Sequence, residues 1–400
     1  MEIYDVIIIG AGPAGLFAGI NLKNKKVLIL EKKDKPGRKL LISGGGKCNI
    51  TNTGKITEFI THYGEKKNFV KKAIYAFSND DLINFFEINF YIDDSGKVFP
   101  ESMRAKEILN YLLDEYLEDK KHEIIYNSKV EKVIKSDEYF KVYTESGIFN
   151  AKNLIVATGG KSFPMTGSTG DGYKIAKSFG HTIISPRPAL TPIEIENYPF
   201  VDLAGISINV WIKKAKNKMY GSLLFTHKGF SGPVVLNFSR YLNDGDKIQI
   251  SFVDFDNEEK FRKYFVEKSN QNKNMLLYDF LKKEFRFPRR FIAVMFRILN
   301  IDKNKRLNNL SRHERNNVIQ YLVNHEFKVK KIGDFNIAMV TKGGIDTREI
   351  NSKSMESKLV ENLYFIGEVV DVDGYTGGYN LQWAFSSAYI AAKNIIEKGG

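Results

Sequence analysis

The sequence predicts an α/β fold in which a nucleotide-binding domain, built from both ends of the chain, is interrupted by an inserted region of strands and then helices. Three observations carry this. The apolar run Val6-Ile7-Ile8-Ile9 stops at Gly10-Ala11-Gly12-Pro13-Ala14-Gly15, a glycine pattern set between a strand and a helix. Two later apolar runs also end in glycine: Asn153–Ala157 leads into Thr158-Gly159-Gly160, and Leu363–Gly367 is the third. Between about 190 and 335 the texture becomes strand-like with glycine turns, then charged and helix-like.

Taken in order, residues 3–9 read as a buried strand, Leu16 to Asn24 as a helix and Val27–Glu31 as a second strand, one unit of the mononucleotide-binding kind. Residues 36–54 read as a long loop rich in Gly, Lys and Asn. Residues 68–90 and 104–120 have helical spacing, and Glu123–Tyr126, Lys129–Lys135 and Tyr139–Glu145 alternate as short strands. Residues 190–255 are strand-like, with turns at Gly205, Gly221, Gly229 and Gly245. Residues 257–330 are helix-like, and Ser311 with Glu314 three residues on forms a capping-box pattern for a helix over Arg312–Asn324. Gln382–Lys398 is a small-residue helix. The expected organisation is therefore 1–190 and 336–400 as one domain, with 191–335 inserted: 191–255 β-rich and 256–335 helical.

Composition narrows the setting. No apolar run reaches the roughly 18–20 residues needed to span a bilayer, and the N-terminus has no basic region before its apolar run. One cysteine, Cys48, excludes an intrachain disulfide, so the expected location is cytoplasmic. The net charge of +13 comes from lysines spread along the chain and reads first as a solvated surface. Nucleic acid and membrane are not the expected partners, and the oligomeric state is left open. The six histidines and one cysteine show no metal-ligand spacing, so no metal is expected.

The glycines at 10, 12 and 15 each serve a mechanical purpose. Gly10 allows a tight turn, Gly12 lets a pyrophosphate approach the backbone, and Gly15 lets helix pack closely on strand. Pro13 and Ala14 open the helix, whose free N–H groups and positive dipole end suit phosphate. Glu31 ends the next strand, where a carboxylate accepts hydrogen bonds from ribose and repels a 2′-phosphate. The ligand is thereby FAD or NAD, not NADP.

Lys152 to Gly160 (KNLIVATGG) and Asn362–Glu368 (NLYFIGE) resemble signatures of flavoproteins of the glutathione reductase type, which implies FAD on a Rossmann-like domain. Glu368 stands where that superfamily usually carries Asp near the ribityl chain. Pro36–Lys39 followed by Ser43–Asn52 (SGGGKCNITN) resembles the HI0933-like family of bacterial flavoproteins. So do Thr166–Tyr173, Phe225–Pro233, Thr341–Ile345 and Gly367–Gln382. The resemblance covers essentially the whole chain. It implies a split FAD domain with a β-barrel-like and helical insertion. Members are linked to reduction of unsaturated oxo-bile acids and to oxidation of aminoacetone. Beyond the first glycine turn and Glu31, the expected cofactor contacts are Lys32, Arg38, Lys39, Ser43, Gly44, Gly45, Asn49, Val130, Ala157, Thr158, Gly159, Gly160, Gly367, Glu368, Gly378, Asn380, Leu381 and Gln382.

Four residues are candidates for chemistry: Cys48 in the glycine loop, His227 in a turn of the insertion, and Lys342 and Tyr375 near the flavin. For Cys48 a small buried residue is the favoured reading, and for His227 a packing or hydrogen-bonding histidine. Phe285–Arg297 (FRFPRRFIAVMFR) reads as an amphipathic helix with a basic outer face; its other reading is a nucleic-acid contact by stacking and phosphate pairing. The expected activity is an FAD-dependent oxidoreductase acting on a small organic substrate at the flavin. It either reduces an enone-like C=C bond or oxidises an amine or alcohol with O₂. A single dinucleotide fingerprint makes NAD(P)H at most a transient electron donor. The competing readings are a flavin-binding redox sensor and a flavoprotein that acts on RNA.

Overall fold

One ten-residue strand, Gly147–Val156, organises the larger sheet. In the computed structural model, which describes residues 2–136 and 138–399, Ile3–Ile9 runs parallel to it from Ile3 opposite Asn150 to Ile9 opposite Val156. Its other edge is shared. Phe140–Thr144 pairs antiparallel with its first half, and Leu363–Phe365 pairs parallel with Leu154, Ile155 and Val156. Beyond Ile3–Ile9 lie Val27–Leu30 and then His122–Ile125, both parallel, and Val130–Lys135 flanks Phe140–Thr144. Val6, Ile7, Ile8, Leu154 and Ile155 are fully buried, as continuous apolar runs in a sheet covered on both faces should be.

The chain divides into two units, Met1–Pro188 with Phe335–Gly400, and Ala189–Asp334. Each has its own apolar core. In the first unit, helix Pro13–Ile20 buries every residue after its proline, and Phe17 meets Phe385 of helix Tyr379–Lys398 edge-on at 5.1 Å. Gly19 leaves room for the Tyr116 ring, which would lie 2.3 Å from any Cβ there.

The second unit is a closed barrel with helices. Its strand order is Ile193–Ile195, Gly229–Ser231, Asn217–Phe225, Ser207–Lys214, Lys247–Ser251 and His325–Ile332, the last pairing back to the first. Its α-helices among the described residues are Pro233–Phe238, Glu258–Gln271, Leu277–Phe285, Arg289–Leu299 and Arg312–Val323. The Ser311 hydroxyl accepts from the Glu314 N–H at 3.1 Å, and the Glu314 carboxylate accepts from the Ser311 N–H at 2.8 Å, which completes the capping box.

Several readings of the sequence need correction: Phe285–Arg297 is not one helix but breaks at Arg286–Pro288, and Gly221 lies inside a strand rather than at a turn. Residues 256–335 are not wholly helical, because His325–Ile332 is the strand that closes the barrel. Phe327 and Val329 are buried while Glu326, Lys328 and Lys330 are exposed, a period of two masked by the lysines. Residues 36–54 contain a helix, Arg38–Ile42, and a tight turn, Ser43–Gly46. Residues 68–90 break at Ser78, which caps Asn79–Phe85, and end in strand Phe90–Ile92.

His325 sits in a cage of aromatic rings, 4.4 Å from Phe327 and 4.5 Å from Tyr321. Burial lowers its pKa from 6.5 to about 4. The unfolded chain therefore binds this proton first, so the stabilisation is complete above pH 6.5 and falls as pH drops toward 4. Unfolding midpoints measured from pH 7 to pH 4 should show a loss of about 3 kcal/mol from this group. His325→Phe should remove that part of the pH dependence.

Candidate flavin site

The glycine turn is built by backbone contact. A Cβ at Gly15 would lie 2.0 Å from the Gly10 carbonyl oxygen, and one at Gly10 would lie 2.7 Å from that of Ala157. Gly10 also has φ of 110°. At Gly12 the opposite holds: a Cβ there meets nothing within 4 Å, so this residue faces open space. Gly12 precedes helix Pro13–Ile20 with no side-chain cap and no acidic residue in the first turn. The bare N–H groups therefore suit a phosphate anion. Glu31 is aimed at this turn, accepting from the N–H of Ala11 and from that of Lys33, each at 2.9 Å.

The second glycine loop turns through three left-handed residues, Gly44, Gly45 and Gly46, and a fourth, Cys48, with φ of 59°. Space beside Gly45 is open. Asn49 Oδ1 is buried without a donor among the described residues, an acceptor that a flavin amide could satisfy. At the other chain end, Gly378 has φ of 95° and precedes helix Tyr379–Lys398 with no side-chain cap. These features fit FAD: a bare helix N-terminus for its pyrophosphate, a carboxylate for its ribose, and an orphan acceptor in a glycine loop.

Other expected contacts have partners inside the protein. The Glu368 carboxylate accepts from Lys39 Nζ at 2.7 Å, from the Thr341 N–H at 2.8 Å and from the Ser162 hydroxyl at 2.9 Å. Gly160 is required by this same network, since a Cβ there would lie 2.4 Å from Thr341 Oγ1. Gly159, with φ of 70°, has the Ser168 hydroxyl beside it. Lys32 is held by Asp171 at 2.6 Å and Thr169 at 2.7 Å, which fastens Thr166–Tyr173 to the end of the second strand. The Gln382 amide accepts from the Thr51 hydroxyl and donates both hydrogens, to Ser386 and the Phe77 carbonyl, so it fixes the last helix. Asn380 accepts from the Gly374 N–H at 2.8 Å and donates to the carbonyls of Gly374 and Tyr375. Arg38 lies 3.7 Å from Asp34, and Ser43 donates to the Leu40 carbonyl. Val130 packs in the core two residues after Ser128, whose N–H donates to the Glu31 carbonyl.

The chemical candidates separate. Cys48 is fully buried, and burial pushes its thiol up to about 12, so it is a neutral packing residue at physiological pH. His227 is exposed at the tip of the turn between Asn217–Phe225 and Gly229–Ser231. Gly229 and Gly232 of that turn are barrel-builders; a Cβ on either would strike neighbouring backbone.

Lys342 and Tyr375 belong to one corner that sequence reasoning missed. The Gly343 N–H bonds to the Asp371 carboxylate, and the Asp371 N–H donates to the Ile345 carbonyl at 3.0 Å. Asp371 is ion-paired with Lys66; burial raises its pKa, partly offset by that lysine. Tyr375 N–H donates to the His62 carbonyl at 3.2 Å, and its ring meets His62 edge-on at 5.6 Å. His62 stacks on Tyr379 at 4.1 Å, and burial lowers its pKa. No sequence spacing announces this set, because its members come from residues 62–66, 341–345 and 371–379.

Against families of known proteins, residues 4–394 match the model described as HI0933-like protein Rossmann domain. The chain belongs to the HI0933-like family. Two relatives are each named "Ribosomal RNA dihydrouridine synthase": that of Haemophilus influenzae is 38% identical over 97% of this chain and 98% of its own. That of Escherichia coli is 34% identical over 99% of each. The "3-dehydro-bile acid delta(4,6)-reductase" of Clostridium scindens is 28% identical over 98% of each chain. Among solved structures, a flavocytochrome c3 fumarate reductase superposes with a TM-score of 0.53 at 18% identity, over 99% of this chain and 78% of its own, which shows a shared fold. This HI0933-like chain is accordingly an FAD-dependent oxidoreductase built on a Rossmann-type domain. Among the described residues no helix is long and apolar enough to cross a membrane.

Gly15→Ala should abolish the flavin spectrum of the purified protein, since the clash is with backbone that has nowhere to move. Glu31→Ala should weaken FAD affinity by about tenfold or more, the scale of a lost charge-assisted hydrogen bond. Titration of the apoprotein with FAD, followed by fluorescence quenching, measures both.

Proposed function

We propose that this chain reduces the C5=C6 bond of uridine in ribosomal RNA to give dihydrouridine. The observation that supports it most is the 38% identity, over nearly the full length of both chains, to the Haemophilus influenzae protein of that name. Chemistry links it to the bile-acid reductase as well: in uracil, as in an unsaturated ketone, the C=C bond is conjugated to a carbonyl. Such a bond takes a hydride at the carbon remote from the carbonyl and a proton at the adjacent one.

FAD, when bound, would supply the hydride, with a nicotinamide as the hydride source that replenishes it. The chain's residues do the rest. The turn Gly10–Gly15 and its helix hold the pyrophosphate, and Glu31 the adenosine ribose. Asn49 and the N-terminus of Tyr379–Lys398 hold and polarise the flavin ring. Tyr375 is the group assigned to protonate the carbon next to the carbonyl. Its backbone is pinned by His62 and Asn380, and its ring meets the His62 ring edge-on.

The test is incubation of the purified holoprotein with NADH or NADPH and ribosomal RNA from cells lacking the gene, followed by nucleoside mass spectrometry. A uridine gaining the mass of two hydrogens is the expected result. Rapid oxidation of the reduced protein by an unsaturated 3-oxo steroid, with no change in RNA, would instead favour the small-molecule reading carried by the 28% relative. Tyr375→Phe should slow reduction of the C=C bond by about 10²-fold, the scale of a lost general acid. The rate at which NAD(P)H bleaches the flavin should stay unchanged.

A further inference from the structure

The positive charge of the chain is concentrated in its inserted unit. Residues 189–334 carry 26 Lys and Arg against 16 Asp and Glu, so ten of the thirteen net charges lie there. Part of the barrel's charge is neutralised locally. Lys214 pairs with Asp246, Lys218 with Asp256, Lys247 with Glu326 and Lys328 with Glu196.

One corner differs. Helix Leu277–Phe285 ends at Arg286, in the left-handed region with φ of 54°, and helix Arg289–Leu299 starts after Pro288. Lys282, Lys283, Arg286, Arg289 and Arg290 across this turn are all exposed. Among the described residues none of the five forms an ion pair; Arg290 donates to the Ala204 carbonyl at 3.1 Å. Glu284, the acid that lies between these cations, accepts from the Tyr264 hydroxyl.

Folding accounts for only part of this cluster. Lys282 and Lys283 lie in the last turn of their helix, where cations favour the dipole. Arg289 and Arg290 lie in the first turn of theirs, where cations oppose it, and that turn holds no acid. Phe287, Phe291 and Phe296 of the same segment are buried in the unit's core. Three of the segment's four phenylalanines are therefore withdrawn from stacking on bases, and the corner offers chiefly charge.

We infer that this corner binds the phosphodiester backbone of RNA. The inference rests on the proposed RNA substrate and deepens it. Guanidinium forks suit phosphate oxygens, and such contacts give affinity that is independent of sequence and falls steeply with salt.

The experiment compares two variants, each lacking four cations of this unit. One is Lys282→Gln/Lys283→Gln/Arg286→Asn/Arg289→Gln, with Asn at 286 because it tolerates the left-handed conformation. The other is Lys218→Gln/Lys247→Gln/Lys263→Gln/Lys328→Gln, all surface lysines with acidic partners. Affinity for a transcribed ribosomal RNA fragment is measured from low to high salt by fluorescence anisotropy. The corner variant should bind about tenfold or more weakly, and its slope of log K against log salt should shrink by about 3. The control should keep the wild-type slope, and flavin content should be equal in all three proteins. If the corner variant fails to fold, Arg286→Asn/Arg289→Gln takes its place with about half the change in slope.

Equal losses in both variants would overturn the inference in favour of diffuse charge. So would a corner variant with intact RNA binding but lost binding to phosphatidylserine vesicles. Wild-type protein that binds no RNA sinks the RNA reading itself. Wild-type RNA binding that persists in the corner variant sinks this inference alone.

Discussion

The flavin unit depends on one close approach of backbone to backbone. The Gly10 carbonyl occupies the volume that any side chain at position 15 would need, and the Ala157 carbonyl occupies that of a side chain at position 10. This locks helix Pro13–Ile20 onto strands Ile3–Ile9 and Gly147–Val156 at a single point. It leaves the helix N–H groups directed into the open space beside Gly12. The rest of the unit is arranged around that point. Strand Leu363–Phe365 aligns with the last three residues of Gly147–Val156, and the chain then passes Gly367, whose missing side chain leaves room for Ala14. Helix Tyr379–Lys398 follows and packs on the first helix through Phe385 and Phe17. The first and last segments of the chain are thus committed to the same turn, and a long insertion in sequence costs little because loop-closure entropy grows slowly with length.

Much of this was legible because it is local. A strand buried on both faces writes itself as a continuous apolar run, and a glycine forced by a backbone clash leaves no other residue type at its position. Leu363–Phe365, Gly10 and Gly15 are of that kind. The capping box at Ser311 and Glu314 is local too, spanning one turn. What escaped are relations that no window contains. The Lys66–Asp371 pair joins residues about three-quarters of the chain apart, and His62 gains its place by stacking on Tyr379. Strand His325–Ile332 was hidden for a different reason. Its outward positions are mostly lysine, and a row of lysines resembles the charged helices before it until its partners in the barrel are known.

Glu368 and Gln382 show a further limit. Both stand where a flavin could be contacted, and both side chains are already engaged by protein groups. A motif fixes which residue occupies a place in the fold, yet the same residue serves equally to hold the loops that surround a cofactor. Here the carboxylate of Glu368 ties Lys39, Ser162 and Thr341 together, which sets the glycine loop after Gly147–Val156 before any ligand arrives. Such preorganisation is what an electrostatic site needs, since donors already in place need not reorganise during reaction.

Averaged over the chain, a charge of +13 reads as ordinary surface, and that average concealed its partition. The flavin unit is nearly balanced, while the inserted unit carries ten net positive charges on 146 residues. The two features answer different problems on the proposed reading. Conjugate reduction is the same chemistry for a uracil and for an unsaturated ketone, so the flavin unit need not change between them. A ribosomal RNA differs from a bile acid in its many phosphates, and affinity for phosphates comes from unneutralised cations rather than from the shape of a small pocket. On that reading, substrate class within this family is a property to be sought on the surface of the insertion, beginning with the turn that exposes Arg286, Arg289 and Arg290.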